Sequence, residues 1–124
     1  MERLLLVEHE RPYGGALALL LEWRTGLGCV YTGSLVEAKG LLEEANRKPA
    51  CVIVDLDLPD KEANELLELL DGIPVLALIK DRSLQRQAEA MELGANEVLR
   101  KGSVEKIAAA AEQLTGGPRS ISAF

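Results

Sequence analysis

Aromatic side chains are almost missing from this chain: one Trp, two Tyr and one Phe amount to 3% of its 124 residues. A core built without them has to be aliphatic, from Leu, Val, Ile and Ala, and the apolar content of 48% supplies that material. A basic excess is missing too. The formal charge of −6 argues against nucleic acid as a direct partner, because phosphate binding needs a basic face. No apolar run approaches the length needed to span a membrane. Cysteine is limited to Cys29 and Cys51. If each opens a strand and a third strand lies between, they sit roughly two spacings of ~4.8 Å apart, beyond disulfide reach. Both are therefore expected to be reduced, which points to the cytoplasm. Met1-Glu-Arg leads straight into the first strand, so no signal peptide is expected. Gly14-Gly15 lacks the spacing of a phosphate-binding loop. No Ser/His or Cys/His pair is visible, so an enzyme is not expected.

What is present is alternation. Short apolar runs at Leu4–Val7, Cys29–Thr32, Cys51–Asp55, Ile73–Ile79 and Glu97–Leu99 are predicted strands. Between them lie segments of helical period. The first helix runs from Arg11 to Arg24, with Pro12 tolerated in its first turn and Gly26 and Gly28 as the stop. Ser34 with Glu37 forms a capping box for a helix with the face Leu35, Ala38, Leu41, Leu42 and Ala45. Lys61 to Leu70 buries Leu66, Leu67 and Leu70, and Asp71-Gly72 turns the chain. Asp81 or Ser83 caps a helix buried through Leu84, Ala88 and Met91 and ended by Gly94. Ser103 caps the last helix, whose stripe is Val104, Ile107, Ala108, Ala111 and Leu114. Trp23 is read as a packing residue, and Arg82, Arg86, Glu89 and Glu92 as a solvated face.

Strict alternation of five strands and five helices implies a doubly wound α/β domain with a five-stranded parallel sheet covered on both faces. Right-handed crossovers leave few topologies. One length-bounded domain is predicted over 1–115, with 116–124 as a flexible C-terminal tail. In such sheets ligands collect at the carboxyl edge. Glu8, His9 and Glu10 follow the first strand, Asp55 ends the third, and Lys101 follows the fifth. Carboxylates gathered there repel one another, so the cluster needs a cation, either a divalent metal or a lysine ammonium.

In order, type and spacing, these residues resemble the receiver domain of bacterial response regulators over positions 3 to 114. Val7-Glu8-His9-Glu10 is similar to the acidic pair after the first strand, and Asp55 with Leu58-Pro59-Asp60 to the phosphoacceptor segment. Ile73-Pro-Val-Leu-Ala-Leu, Glu92-Leu-Gly-Ala-Asn and Lys101 complete the likeness. The resemblance implies a flavodoxin-like receiver fold, with strand order 2-1-3-4-5, in which Asp55 accepts a phosphoryl group. It further implies a Mg²⁺ held by Asp55, by Glu8 through water and by the main-chain carbonyl of Asp57. Lys101 would pair with Asp55 and then with the phosphate. A histidine kinase or phosphotransfer protein would be the donor. Output would be contact with a downstream protein through the fourth helix, fifth strand and fifth helix, with a homodimer as a further assembly. As a receiver with no attached output domain, the protein would act in phosphorelay signal transduction; the alternatives are a phosphorylation-independent interaction module and a flavodoxin-like binder of a small ligand or metal.

Five positions depart from that pattern. His9 stands where the directly ligating acid is expected, and imidazole is a poor Mg²⁺ ligand. A Glu8/His9/Asp55 site for Mn²⁺ or Zn²⁺ is the alternative this substitution opens. Ile79 replaces a hydroxyl residue, with Lys80 after it where a small residue is usual. Val98 replaces an aromatic ring. Gly102 replaces a proline with a cis bond; since a cis bond to a non-proline costs ~3 kcal/mol, a trans bond is expected there.

Overall fold

The computed structural model describes residues 2–44, 48–58, 62–70 and 72–116. Five strands and five helices alternate along the chain: β1 Arg3–Val7, α1 Arg11–Thr25, β2 Gly28–Thr32, α2 Leu35–Glu44, β3 Cys51–Asp55, α3 Glu62–Leu69, β4 Val75–Ile79, α4 Leu84–Glu92, β5 Glu97–Arg100 and α5 Val104–Leu114. The strands form one parallel sheet, as the alternation predicts, in the order β2-β1-β3-β4-β5 that the receiver resemblance implies. Period-two alternation along each strand sorts its side chains between two faces. Leu4, Leu6, Cys51, Ile53, Leu76 and Leu78 meet Leu17 and Leu21 of α1 and Ile107, Ala108 and Ala111 of α5. Leu5, Val7, Val52, Val54, Val75 and Ala77 face Leu35 and Ala38 of α2, Leu66 and Leu67 of α3 and Ala90 of α4. Every residue of β3 and β4 is buried, which is why those runs are continuously apolar.

Local chemistry sets the helix ends. The hydroxyl of Ser34 accepts from the Glu37 amide at 3.3 Å. Ser83 and Ser103 do the same for the amides of Arg86 and Lys106. Gly26 closes α1 in the left-handed region at φ 73°. β1 lies between the two cysteine-bearing strands, and both cysteines are free thiols. Burial pushes each thiol up to about 12. Among the described residues no peptide bond is cis, and the bond to Gly102 is trans. No helix among them is long and apolar enough to cross a membrane.

Some burial expectations are corrected. In α4 the stripe Leu84, Ala88 and Met91 faces solvent, with Leu84 79% and Met91 50% exposed, and Ala90 is buried instead. The helix turns the opposite side to the sheet because the small Ala90 allows close approach and Arg86 on that side finds polar partners across the molecule. Trp23 is 79% exposed on α1 and packs into no core. Leu41, at the edge of the α2 stripe, is exposed. Ala45, Pro59-Asp60, Lys61, Asp71 and the 117–124 tail lie outside the described residues.

The paired glycines of α1 differ in a way their sequence does not show. A Cβ on Gly14 would fall 2.5 Å from the Tyr31 ring, whereas one on Gly15 would meet nothing within 4 Å. Ala at position 15 is therefore expected to stabilise the fold by about 1 kcal/mol through helix propensity. Ala at position 14 must displace a ring held by the hydrogen bond from Tyr31 Oη to the Glu8 carbonyl, and is expected to show no such gain. Urea unfolding of Gly14→Ala and Gly15→Ala measures the contrast.

Candidate functional site

The register brings the carboxyl ends of the four neighbouring strands β1, β3, β4 and β5 to one edge. Val7 pairs with Val54, Asp55 with Leu78, and Ile79 with Arg100. Glu8 thus emerges beside Asp55, while Lys101 starts from β5 with β4 in between. Only a long side chain crosses that gap. Two of the chain's few aromatics steady the approach. Tyr13 Oη donates to the Lys101 carbonyl at 2.7 Å, its ring centroid lies 5.2 Å from Lys101 Nζ, and Tyr31 Oη donates to the Glu8 carbonyl at 2.9 Å.

The Lys101 ammonium ends among the acids. It lies 2.8 Å from Glu8 Oε1, donates to Glu8 Oε2 at 2.9 Å, and lies 3.2 Å from Asp55 Oδ2. The Oε1 contact is off the hydrogen-bonding direction, so among the described residues that buried oxygen has a charge neighbour but no hydrogen-bond partner. Glu8 and Asp55 are both fully buried, and Lys101 nearly so. Asp55 Oδ1 accepts from the Asp57 amide at 2.8 Å, and His9 Nδ1 lies 2.5 Å from Asp55 Oδ2. Glu10 is 3.5 Å from Lys101 and forms an ion pair with Lys80 at the mouth of the site.

Burial raises the Glu8 carboxyl, and the neighbouring Asp55 adds to the rise against the pull of Lys101. Asp55 is buried as well, but the Asp57 amide, Glu8, Lys101 and His9 together hold it below the usual carboxylate range. Burial disfavours the Lys101 ammonium, yet Glu8 and Asp55 overcome this and raise it. Of the two acids, Asp55 is the one whose surroundings favour the charged form, and Glu8 the one that burial works against.

Glu8, His9, Asp55 and Lys101 come together as side chains, and Asp57 sits two residues beyond Asp55. The sequence reading missed Arg86. Its Nη2 donates to the Leu56 carbonyl at 2.8 Å and its Nη1 lies 2.8 Å from Asp57 Oδ1, so it belongs to the site's rim and not to a solvated face. Asp57 Oδ2 also accepts from the Lys80 amide at 3.0 Å. No short-range pattern could have revealed these contacts, since Arg86 and Leu56 are 30 residues apart. Ile79 is fully buried and offers no donor, and Val98 packs against the core of the α2–α4 face.

Lys101→Met would leave two buried carboxylates facing each other without their cation. A loss of about 3 kcal/mol or more is expected at neutral pH, the usual cost of breaking a buried ion pair from one side. Since protonation of Glu8 removes the repulsion, the deficit should shrink as the pH falls through the carboxyl range. Urea unfolding of both proteins across that range measures it.

No protein-family model matches the chain. It is 33% identical over 104 residues to the KDP operon transcriptional regulatory protein KdpE of Escherichia coli K12, a match covering 82% of this chain and 45% of that protein. The chain thus spans about half the length of that relative. Among solved structures it superposes with TM-score 0.82 and 22% identity on a response regulator receiver protein from Burkholderia phymatum, covering 94% of this chain and 97% of the other. The receiver domain protein from Clostridium thermocellum gives 0.79 at 21% identity, with both chains covered completely. A CheY-like receiver domain protein from Methanospirillum hungatei gives 0.75 at 23%, over 92% and 96%. With the strand order and the relation to KdpE taken together, the chain is a receiver domain of the response-regulator kind.

Proposed function

We propose that this receiver domain accepts a phosphoryl group on Asp55 from a histidine kinase or phosphotransfer protein and passes the signal on by protein contact, as a signalling module and not as an enzyme. The observation that carries the reading is Asp55 itself: buried, at the end of a central strand, 3.2 Å from an ammonium and held toward its charged form by its neighbours. In the transfer an Asp55 oxygen bonds to phosphorus as the bond from phosphorus to the donor imidazole breaks, and the imidazole departs. Lys101 is placed to follow the charge from the carboxylate to the incoming phosphoryl oxygens, which is the electrostatic work such a transfer needs.

The donor set fits a hard cation only in part. Glu8 and Asp55 offer buried carboxylates, and Glu8 has an oxygen without a hydrogen-bond partner among the described residues. His9 contributes an imidazole where an acid would serve Mg²⁺ better. Mg²⁺ would be held by Asp55, by Glu8 through water and by the Asp57 carbonyl, with lowered affinity, and would supply neutralisation of the phosphoryl charge.

The reading of the signal is the part this chain does differently. Ile79 and Val98 lack the hydroxyl and the ring that the receiver pattern uses. The exposed Leu84, Ala88 and Met91 give α4 an apolar face suited to a protein partner or a second copy. Arg86 joins that helix to Leu56 and Asp57. A second reading, a phosphorylation-independent interaction module, draws on the same site. Both Asp55 oxygens are already engaged, and buried Ile79 offers nothing to a phosphate. The free thiols support a cytoplasmic setting.

Intact-protein mass after exposure to acetyl phosphate, with and without Mg²⁺, separates the two. A phosphate adduct that depends on Mg²⁺ and disappears in Asp55→Asn is expected. No adduct from acetyl phosphate or from a phosphorylated histidine phosphotransfer protein would overturn acceptance and leave the interaction module.

A further inference from the structure

We propose that Glu8, His9 and Asp55 form a site for a first-row divalent ion that favours imidazole, of the zinc or cobalt kind, and that this site discriminates against Mg²⁺. The proposal rests on the receiver reading for the location of the site, but it turns on one residue of this chain. Each of the three residues offers a ligand atom within 4.8 Å of the other two. The set is mixed, two carboxylates and one imidazole, and so differs from an ordinary acidic cluster. Glu8 is fully buried; its Oε2 lies 3.8 Å from His9 Nδ1, and its Oε1 has the Lys101 ammonium at 2.8 Å but no hydrogen-bond partner among the described residues, so an ion drawn to this carboxylate competes with that ammonium. His9 is 31% exposed, so an ion arriving from solvent meets the imidazole first and can keep water on its open side.

Two effects of His9 act in the same direction. The first is charge. Around the site three carboxylates, Glu8, Glu10 and Asp55, face the two ammonium groups of Lys80 and Lys101. An acid at position 9 would add to that small negative excess, and a neutral imidazole adds nothing. Mg²⁺ depends on charge and oxygen donors, so it loses most. The second is donor softness, since zinc and cobalt bind imidazole well and sit higher than Mg²⁺-like ions in affinity for nitrogen donors. The geometry is close to ready. His9 Nδ1 and Asp55 Oδ2 already face each other at 2.5 Å. Ligand atoms on a tetrahedral ion with bonds of about 2 Å stand about 3.3 Å apart, so bridging asks for a small opening of an existing contact. Lys101 competes for the same carboxylates and keeps the affinity moderate.

The chain has a single histidine, so imidazole NMR resonances report on His9 alone. Protein without a polyhistidine tag would be titrated with Zn²⁺ and with Mg²⁺, followed by NMR and by calorimetry. Zn²⁺ is expected to move the His9 resonances at concentrations where Mg²⁺ leaves them in place. His9→Gln should lose at least about tenfold in Zn²⁺ affinity, the lower end of what loss of even a ligand's hydrogen-bond partner costs. His9→Asp should gain Mg²⁺ affinity and shift the preference between the two ions toward it. Unmoved His9 resonances on Zn²⁺ addition, or equal Zn²⁺ affinity in wild type and His9→Gln, would overturn the proposal. Binding is read here without phosphoryl transfer, so its failure is distinct from the absence of an acetyl phosphate adduct.

Discussion

A single ammonium buried among carboxylates organises this molecule. Lys101 leaves β5, crosses the end of β4 and neutralises Glu8 from β1 and Asp55 from β3. Without a cation there, two fully buried acids could not stay close at the edge of an apolar sheet. The same contact ties three strands together at their carboxyl ends and draws both acids toward their charged forms. Its geometry is supported from the backbone side by Tyr13 and Tyr31, so two of the chain's four aromatics serve the site and not the bulk of the core.

Around that centre charged side chains stand near the positions where the receiver pattern has a hydroxyl and a small residue. Buried Ile79 cannot bond a phosphate, and the neighbouring Lys80 reaches over the mouth to Glu10. The loop after β3 is held from the opposite side, where Arg86 of α4 meets the Leu56 carbonyl and Asp57, and Asp57 also accepts from the Lys80 amide. The helix bearing the exposed apolar stripe is thereby fastened to the segment that follows Asp55. His9 extends the same theme, with an imidazole against Asp55 where the receiver pattern has an acid.

Much of the fold was legible along the chain. The continuous apolar runs marked β3 and β4 because both faces of those strands are covered. Serines ahead of the helical segments marked their starts, since a hydroxyl can satisfy an otherwise unpaired amide within the same turn. Asp55 stood out because an acid ending an apolar run is costly anywhere but at a sheet edge. α4 misled: its apolar stripe has the period of a buried face, yet Leu84 is 79% exposed. Period locates a stripe but not the direction it points. Trp23 misled for the same reason, as a large apolar residue on a helix is buried only if a neighbour reaches it.

What the sequence by itself determined was the succession of elements, their ends and the residues delivered to one edge, since these follow from interactions within a few positions. What only the tertiary structure decided was which of those residues touch. His9 and Asp55 are 46 positions apart, Lys101 and Glu8 are 93, and Arg86 and Leu56 are 30. Such pairs depend on strand order, register and helix rotation together, and the energy that selects among them is shared over the whole packed domain.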